Sequence, residues 1–237
     1  MRMLFSFLLS VTVFSSCRMF GGKRISGNGN ITTQSVSVSN FEAVDATGAV
    51  TVQVRQDATQ SVRVQTDENL QQYLDVSVNG NTLNIHTKSG YNLDPSKEIV
   101  VYVSAPQLKD LSVTGASKLL GEGTFTSKDL RLNATGASEI DMNLEVSKLK
   151  TELSGASTLR LKGKAESVST EASGASKIQC ADLTTDETRL DLSGASNARV
   201  VANKKLVIEA SGASDVEYSG NADVNQKSSG ASSVKKI

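Results

Sequence analysis

The tetrapeptide Thr114-Gly115-Ala116-Ser117 returns as Thr135-Gly136-Ala137-Ser138 and Ser154-Gly155-Ala156-Ser157, and continues to Ser229-Gly230-Ala231-Ser232. The seven copies stand 18 to 21 residues apart and centre on Gly115, Gly136, Gly155, Gly174, Gly194, Gly212 and Gly230. Self-similarity at this period means that one supersecondary unit has been copied along the second half of the chain. The sequence around each glycine has period two. Six, four and two residues before it stand Leu130, Leu132, Ala134, then Leu149, Thr151, Leu153, and later Leu206, Ile208, Ala210. Four and six residues after it stand Ile140 and Met142, Leu159 and Leu161, Ile178 and Cys180, Ala198 and Val200, Val216 and Tyr218. Alternation of this kind marks strands with one buried face.

Each unit therefore reads as strand, corner, strand, turn. Glycine supplies unusual backbone angles at the corner, and alanine and serine permit close stacking. The apolar burial of one unit does not match the entropy of ordering about nineteen residues, so no unit folds alone. Stacked about 4.8 Å apart, the units pair every backbone group with the rungs above and below. The expected fold is all-β: a right-handed parallel β-helix, or β-solenoid, of roughly 19-residue rungs. Composition agrees, since 38% hydrophobic and only 4% aromatic residues, with no Trp, suit a thin core of aliphatic ladders.

The N-terminus carries a different signal. Met1-Arg2-Met3 precedes an apolar run from Leu4 to Phe14, followed by Ser15-Ser16-Cys17. The run is too short to span a bilayer and reads as a signal peptide over residues 1–16. Small residues before Cys17 resemble a bacterial lipobox, in which the cysteine is lipidated and becomes the mature N-terminus. Phe14 departs from the aliphatic residue usual in that motif, so ordinary secretion stays open as the alternative. Residues 17–34 are expected to be the lipidated cysteine and a flexible tether, because Gly21 to Asn30 is rich in Gly, Ser and Asn. These readings place the chain in the cell envelope as an outer-membrane lipoprotein, with the membrane as its partner through the anchor. Arg18, Lys23 and Arg24 do not resemble an acidic surface-export signal, which leaves the side of the membrane open.

Residues 35–106 are less regular and strand-rich, with Val50 to Val54, Ser61 to Val64 and Ile99 to Val103 alternating. Asn79-Gly80-Asn81 is a hairpin signal. Thr47-Gly48-Ala49-Val50 resembles the later corners, with Val44 and Ala46 before Gly48 and Val52 and Val54 after it. This region reads as a diverged start of the solenoid, continuous with the repeats of residues 107–237 and carrying an insertion that caps it.

The leader with Cys17, the stretch Phe41-Glu42-Ala43-Val44-Asp45 before Gly48, the hairpin from Val78 to Leu83 and the repeated corners together resemble one family. It is the autotransporter-adhesin head GIN domain family (DUF2807) of Bacteroidetes envelope proteins, and the resemblance spans about Val38 to Val234. It implies a parallel β-helix on the cell envelope and, by fold analogy alone, an adhesin. It implies no catalytic set.

The residues themselves narrow the chemistry. Formal charge is zero, and one lower without the leader, which argues against a nucleic-acid partner. His86 is the single histidine, on the polar face of an alternating strand, so His-based metal or triad chemistry has little to stand on. Cys180 occupies an inward repeat position and reads as core. Gly27-Asn28-Gly29 lacks the third glycine, lysine and helix of a phosphate loop. No cofactor is expected.

The candidate site is a column three residues before successive glycines: Glu152, Glu171, Asp191 and Glu209. Stacking would align these acids on the outer surface, where they could bind Ca²⁺ or a ligand, or cleave a polysaccharide. Lys150 and Arg189 two residues earlier argue instead for charge balancing. A second outer column, five residues after each glycine, reads Asp141, Arg160, Gln179, Arg199, Glu217 and Lys235, and its mixed signs also suggest neutralisation. Two functions follow: a non-enzymatic adhesin-like or scaffold rod binding a glycan or protein partner, and a polysaccharide-active β-helix enzyme using the acidic column. The last unit stops one strand beyond Gly230, leaving a pairing edge that either Lys235 and Lys236 block or a homo-oligomer covers.

Overall fold

The computed structural model describes residues 22–237. The signal peptide and Cys17 lie outside the described residues. In chain order the N-terminal strands are β1 (Lys23–Ser26), β2 (Ile31–Ser35), β3 (Ala43–Gly48), β4 (Val50–Gln56) and β5 (Ser61–Asp67), then a 3₁₀ turn (Glu68–Tyr73). They continue with β6 (Leu74–Asn79), β7 (Thr82–Thr87), β8 (Tyr91–Asp94), β9 (Ile99–Ala105) and β10 (Asp110–Gly115). The repeats supply β11 (Lys118–Gly136), β12 (Glu139–Gly155), β13 (Thr158–Ala172), β14 (Lys177–Leu192), β15 (Asn197–Ala210), β16 (Asp215–Ser219), β17 (Asp223–Ser228) and β18 (Ser233–Lys236).

The repeats form a parallel solenoid of about seven turns, with one strand side on each flank of the glycine. Gly115 lies in register with Gly48 on one side and Gly136 on the other, and Gly136 with Gly155. In the rung that begins at Ser138, Ile140, Met142, Leu144 and Val146 point inward. The alternation breaks at Ser147-Lys148, resumes at Leu149, Thr151 and Leu153, and breaks again at the Ser154-Gly155-Ala156 corner. Two outward residues in succession are what bends the strand around the core. The inward residues form continuous ladders, and Thr151 and Thr170, buried in the apolar ladder, satisfy each other through a 2.8 Å hydroxyl bond.

The corner is fixed by backbone rather than by side chains. The N–H of Ala137, Ala156, Ala175, Ala195 and Ala213 each donates to the glycine carbonyl of the preceding rung at 2.7 Å. Gly155 has φ of +78°, and a Cβ there would stand 2.5 Å from the Gly136 oxygen. The serine of each corner turns inward and donates to the carbonyl three residues before it, at 2.8–3.0 Å from Ser117 through Ser232. Ser117, Ser157, Ser176, Ser196 and Ser214 are fully buried, so this bond disposes of a polar group that would otherwise be costly inside.

Ala43–Gln56 forms the first rung: β3 pairs with β10 and β4 with β11, all parallel. The insertion before Gly115 extends and closes that end. β7 continues the stack on β3 and turns through Gly80-Asn81 into antiparallel β6, while β9 lies on β4 and receives antiparallel β5, then β2. At the other end, among the described residues, β17 and β18 each have a strand neighbour on one side only. Val224 and Val234 still continue the apolar ladder, but the other inward register positions turn polar: Gln226 follows Ile208, Ser228 follows Ala210, and Lys236 follows Tyr218. Polar and charged inward positions discourage further strand addition.

One expectation is corrected. The tether of residues 17–34 does not extend through its described part, because Lys23–Ser26 pairs parallel with β8 and Ile31–Ser35 pairs antiparallel with β5. Gly27-Asn28-Gly29-Asn30 between them is a fitted loop. The Asp67 carboxylate accepts hydrogen bonds from Gly29 N (2.7 Å), Ser96 N (2.9 Å) and Ser96 Oγ (2.6 Å). A side chain at Gly27 would come within 2.3 Å of that carboxylate, and Asn28 N donates to Asn69 Oδ1 at 2.9 Å. Small residues that read as a linker are here the condition for close approach, to a partner about forty residues downstream.

The corner contacts are open to a direct test. Gly155→Ala combines left-handed strain of about 1–2 kcal/mol with overpacking of about 1–3 kcal/mol, and should lower unfolding free energy by at least about 2 kcal/mol. Gly123→Ala, at φ +80° with open space for the Cβ, should cost only about the first term. Equal losses in urea denaturation would show that backbone angle alone, not the approach of successive rungs, dictates the corner.

The Ser96 hydroxyl, against the opposing effect of burial and with backbone N–H groups of Ser96 and Gly29, holds the Asp67 carboxyl below the ordinary carboxylate range. A depressed folded pKa gives stability that is present above the unfolded value, about 3.9, and is lost as pH falls through the folded one. The difference in denaturation midpoint between wild type and Asp67→Asn should be constant above about pH 5 and shrink below about pH 4. A difference unchanged to pH 3 would exclude the ionised clamp.

Candidate binding faces

The register brings the predicted acidic column together. Glu152 pairs with Glu171, Glu171 with Asp191, and Asp191 with Glu209, each on the next strand from β12 to β15. Asn133 continues the column below Glu152, and Lys227 lies above Glu209. The neighbouring outward column runs Asp110, Arg131, Lys150, Ser169, Arg189 and Val207.

These columns pair with each other. Lys150 Nζ stands 2.8 Å from Glu152 and 3.4 Å from Glu171, bonds that raise the ammonium's pKa, with the Glu152 bond foremost. Arg189 takes Glu209 at 2.8 Å, and Arg131 lies 3.5 Å from Asp110. Asp191 makes no ion pair among the described residues. Partial burial raises the pKa of Asp110; Arg131 opposes this, and Glu152 and Asp45 add to it. Beside the acids runs a row of hydroxyls, Thr135, Ser154, Ser173 and Ser193, that completes a shallow open groove.

This geometry supplies one carboxylate per rung, not a converged set. Among the described residues no group of three or more His, Cys, Asp or Glu side chains is placed to hold a metal ion. Glu152, Glu171 and Glu209 already spend their charge on cations of the same face. The face can present hydroxyls and alternating charge to an extended polar ligand.

The second column also lies in register, Asp141 with Arg160, Gln179 with Arg199, and Glu217 with Lys235. Its arginines reach diagonally or directly to acids: Arg160 to Glu139, and Arg199 to Glu217 through Nε at 2.7 Å. A larger groove opens on this side of the corner and includes Lys162, Lys177 and Lys235 in its lining, against Asp182 and Asp215. None of these three lysines is in an ion pair among the described residues, so this face is the more cationic. The column by itself reads as self-neutralised, because Lys162 and Lys177 fall outside the positions five residues after the glycines.

The remaining candidates separate. Cys180 is buried in the core, and that burial pushes its thiol up to about 12, with a Leu161 backbone bond opposing. His86 faces Asp75 across the β6–β7 hairpin at 3.7 Å, half exposed and far in sequence from the acidic column. Gly48 and the seven later corner glycines form the spine and hold no reactive group. Cys17, the proposed lipidation site, lies outside the described residues.

Fold and faces define a class, the parallel β-solenoid with paired outer charge ladders. The sequence profile of the family described as "Putative auto-transporter adhesin, head GIN domain" (DUF2807) matches residues 40–222, and the chain belongs to this family. No curated protein matches it. Among solved structures it is similar to a "putative adhesin" from Bacteroides fragilis NCTC 9343, with TM-score 0.82 and 18% identity over 90% of this chain and 100% of that one. It is also similar to a "Putative lipid binding protein" from Parabacteroides distasonis ATCC 8503, with TM-score 0.75 and 20% identity over 91% and 100% of the two chains. At these identities the likeness establishes the fold.

Exposed ion pairs contribute little each. Replacing Glu171 and Asp191 together by alanine should therefore leave the denaturation midpoint within error and leave any glycan or protein binding by the opposite groove unchanged. A loss of glycan cleavage in that double variant, on a substrate the wild type degrades, would instead reveal catalytic carboxylates.

Proposed function

We propose that this chain is a non-enzymatic envelope module: a rod anchored through a lipidated Cys17 that presents a face to a glycan or protein partner. The observation that carries the reading is the pairing of the outer acids. A glycosidase needs two carboxyl groups free to act as acid and as base or nucleophile. Here Glu152 and Glu171 share Lys150, and Glu209 is held by Arg189. The family's adhesin description supports the reading, as do the relatives described as an adhesin and as a lipid-binding protein. The groove that includes Lys162, Lys177 and Lys235 is the candidate for an anionic partner, because its lining carries more cations than acids and those three lysines make no ion pair among the described residues.

The site of action is the outer membrane in this reading. In intact cells, with a periplasmic protein as leakage control, external protease should digest the chain if it faces outward. Protection until the outer membrane is permeabilised would make it a periplasmic scaffold and end the adhesin reading. Cys17→Ser should move the protein from the membrane to the soluble fraction, and an unchanged membrane fraction would remove the lipid anchor.

A further inference from the structure

We propose that the N-terminal end of the solenoid docks directly on the membrane, with Tyr73, Tyr91, Lys23 and Lys88 seated among phospholipid headgroups. The inference rests on the lipid-anchor reading of Cys17. Its first support is length. Because β1 begins at Lys23 and Gly22 is packed against Gly90 and Tyr91, only residues 17–21 separate the anchor from the folded body. Five residues reach at most about 18 Å fully extended. The 18-residue tether expected from composition would have allowed roughly three and a half times that distance.

The second support is what lies at the point of entry. Tyr91 is 38% exposed, one of two large hydrophobic side chains exposed among the described residues, and its ring lies tilted at 49° against that of Tyr73, with centroids 4.6 Å apart. Lys23 is in register with Tyr91, and its N–H donates to Gly90 O at 2.8 Å. Lys88 is tied to the same place: its N–H donates to Tyr73 O at 2.8 Å, its Nζ donates to Gln72 O at 2.8 Å, and Tyr91 N donates to Lys88 O at 3.3 Å. The nearby Asp94 is occupied by Arg24 at 2.8 Å, whereas Lys23 and Lys88 make no ion pair among the described residues. Amphipathic tyrosines flanked by lysines without counter-charges suit the headgroup layer, where rings sit at the interface and ammonium groups meet lipid phosphates.

The third support is direction. Tyr73 directly precedes β6, the strand at the opposite end of the sheet order from β18. Seven intervals separate Gly48 from Gly230 in the glycine ladder, so at about 4.8 Å per rung the repeats would rise roughly 34 Å from the docked end. The rod then stands end-on, with both grooves clear of the bilayer.

The test uses the mature chain from Cys17, coupled through that thiol to a maleimide lipid in phosphatidylethanolamine–phosphatidylglycerol vesicles with brominated acyl chains. Cys180 is buried and does not compete. The chain has no tryptophan, so Tyr91→Trp is a single reporter and Ile237→Trp its distal control. The indole of the Tyr91→Trp variant should be blue-shifted and quenched, while that of the Ile237→Trp variant is unaffected. Adding Lys23→Glu with Lys88→Glu should relieve the quenching. Without coupling, each reversal should weaken vesicle partition at least about fivefold, the factor for one basic residue at an anionic surface. Tyr73→Trp reports the same contact should Tyr91→Trp fold poorly. Quenching in the Tyr91→Trp variant no greater than in the Ile237→Trp variant, on fully coupled vesicles, overturns the docking alone. Absence of fatty-acid label on Cys17 in the full chain expressed in a lipoprotein-processing bacterium overturns the anchor reading, and this inference with it.

Discussion

The structure depends on one short contact repeated along its length, the hydrogen bond from each corner alanine N–H to the glycine carbonyl one rung below. That bond brings two backbones so close that a Cβ on the upper glycine would fall 2.4–2.6 Å from the lower oxygen. Glycine is therefore required twice at each corner, for its positive φ and for its missing side chain. The register of every rung follows, because once the glycines are stacked the period-two alternation sends Leu, Ile and Val of successive rungs into the same ladders. Charge order follows as well, since the columns that place Lys150 between Glu152 and Glu171 exist only while the corners stay aligned.

Stacking makes like charges neighbours, and the surface shows the response. An acidic column with one carboxylate per rung would repel itself along its length, and Lys150 and Arg189 in the adjacent column relieve most of that repulsion. Partial burial raises the Asp110 pKa; Arg131 opposes this, and the nearby Glu152 and Asp45 add to it. A surface arranged this way has most of its acids neutralised by its own cations and needs no ligand to explain them. The cationic groove beyond the corner is different, because Lys162, Lys177 and Lys235 are not drawn into that lattice.

The repeats were legible in the sequence because periodicity and local geometry coincide there. The residues read as inward, from Leu130 to Val216, are buried, and Gly48 was recognisable as a corner although 67 residues separate it from Gly115. The alignment of Glu152 through Glu209 was equally readable, since a parallel register maps equal offsets onto one column. The corner serine's role was not, because a small polar residue beside glycine suits any bend and its bond to the carbonyl three residues back is invisible in composition. The N-terminal loop misled for the same reason. Gly27 to Asn30 has a linker's composition, and only Asp67, with Ser96 beside it, turns that composition into a fitted segment.

What the repeats repeat is stability, so individuality must lie where the pattern is broken. The insertion between Gly48 and Gly115 supplies both antiparallel closures, the buried Asp67 clamp and the tyrosine pair, none of which has a counterpart in a later rung. At the other end the inward ladder keeps Val224 and Val234 but turns to Gln226, Ser228 and Lys236 at its remaining positions, so the apolar reward of stacking shrinks there. The two ends thus do opposite work on the same sheet: one adds strands to close the core against its surroundings, the other removes the burial that would recruit more. Between them the rod is free to vary its outward residues without disturbing the glycine contact, because those side chains point away from the corner bonds that set the register.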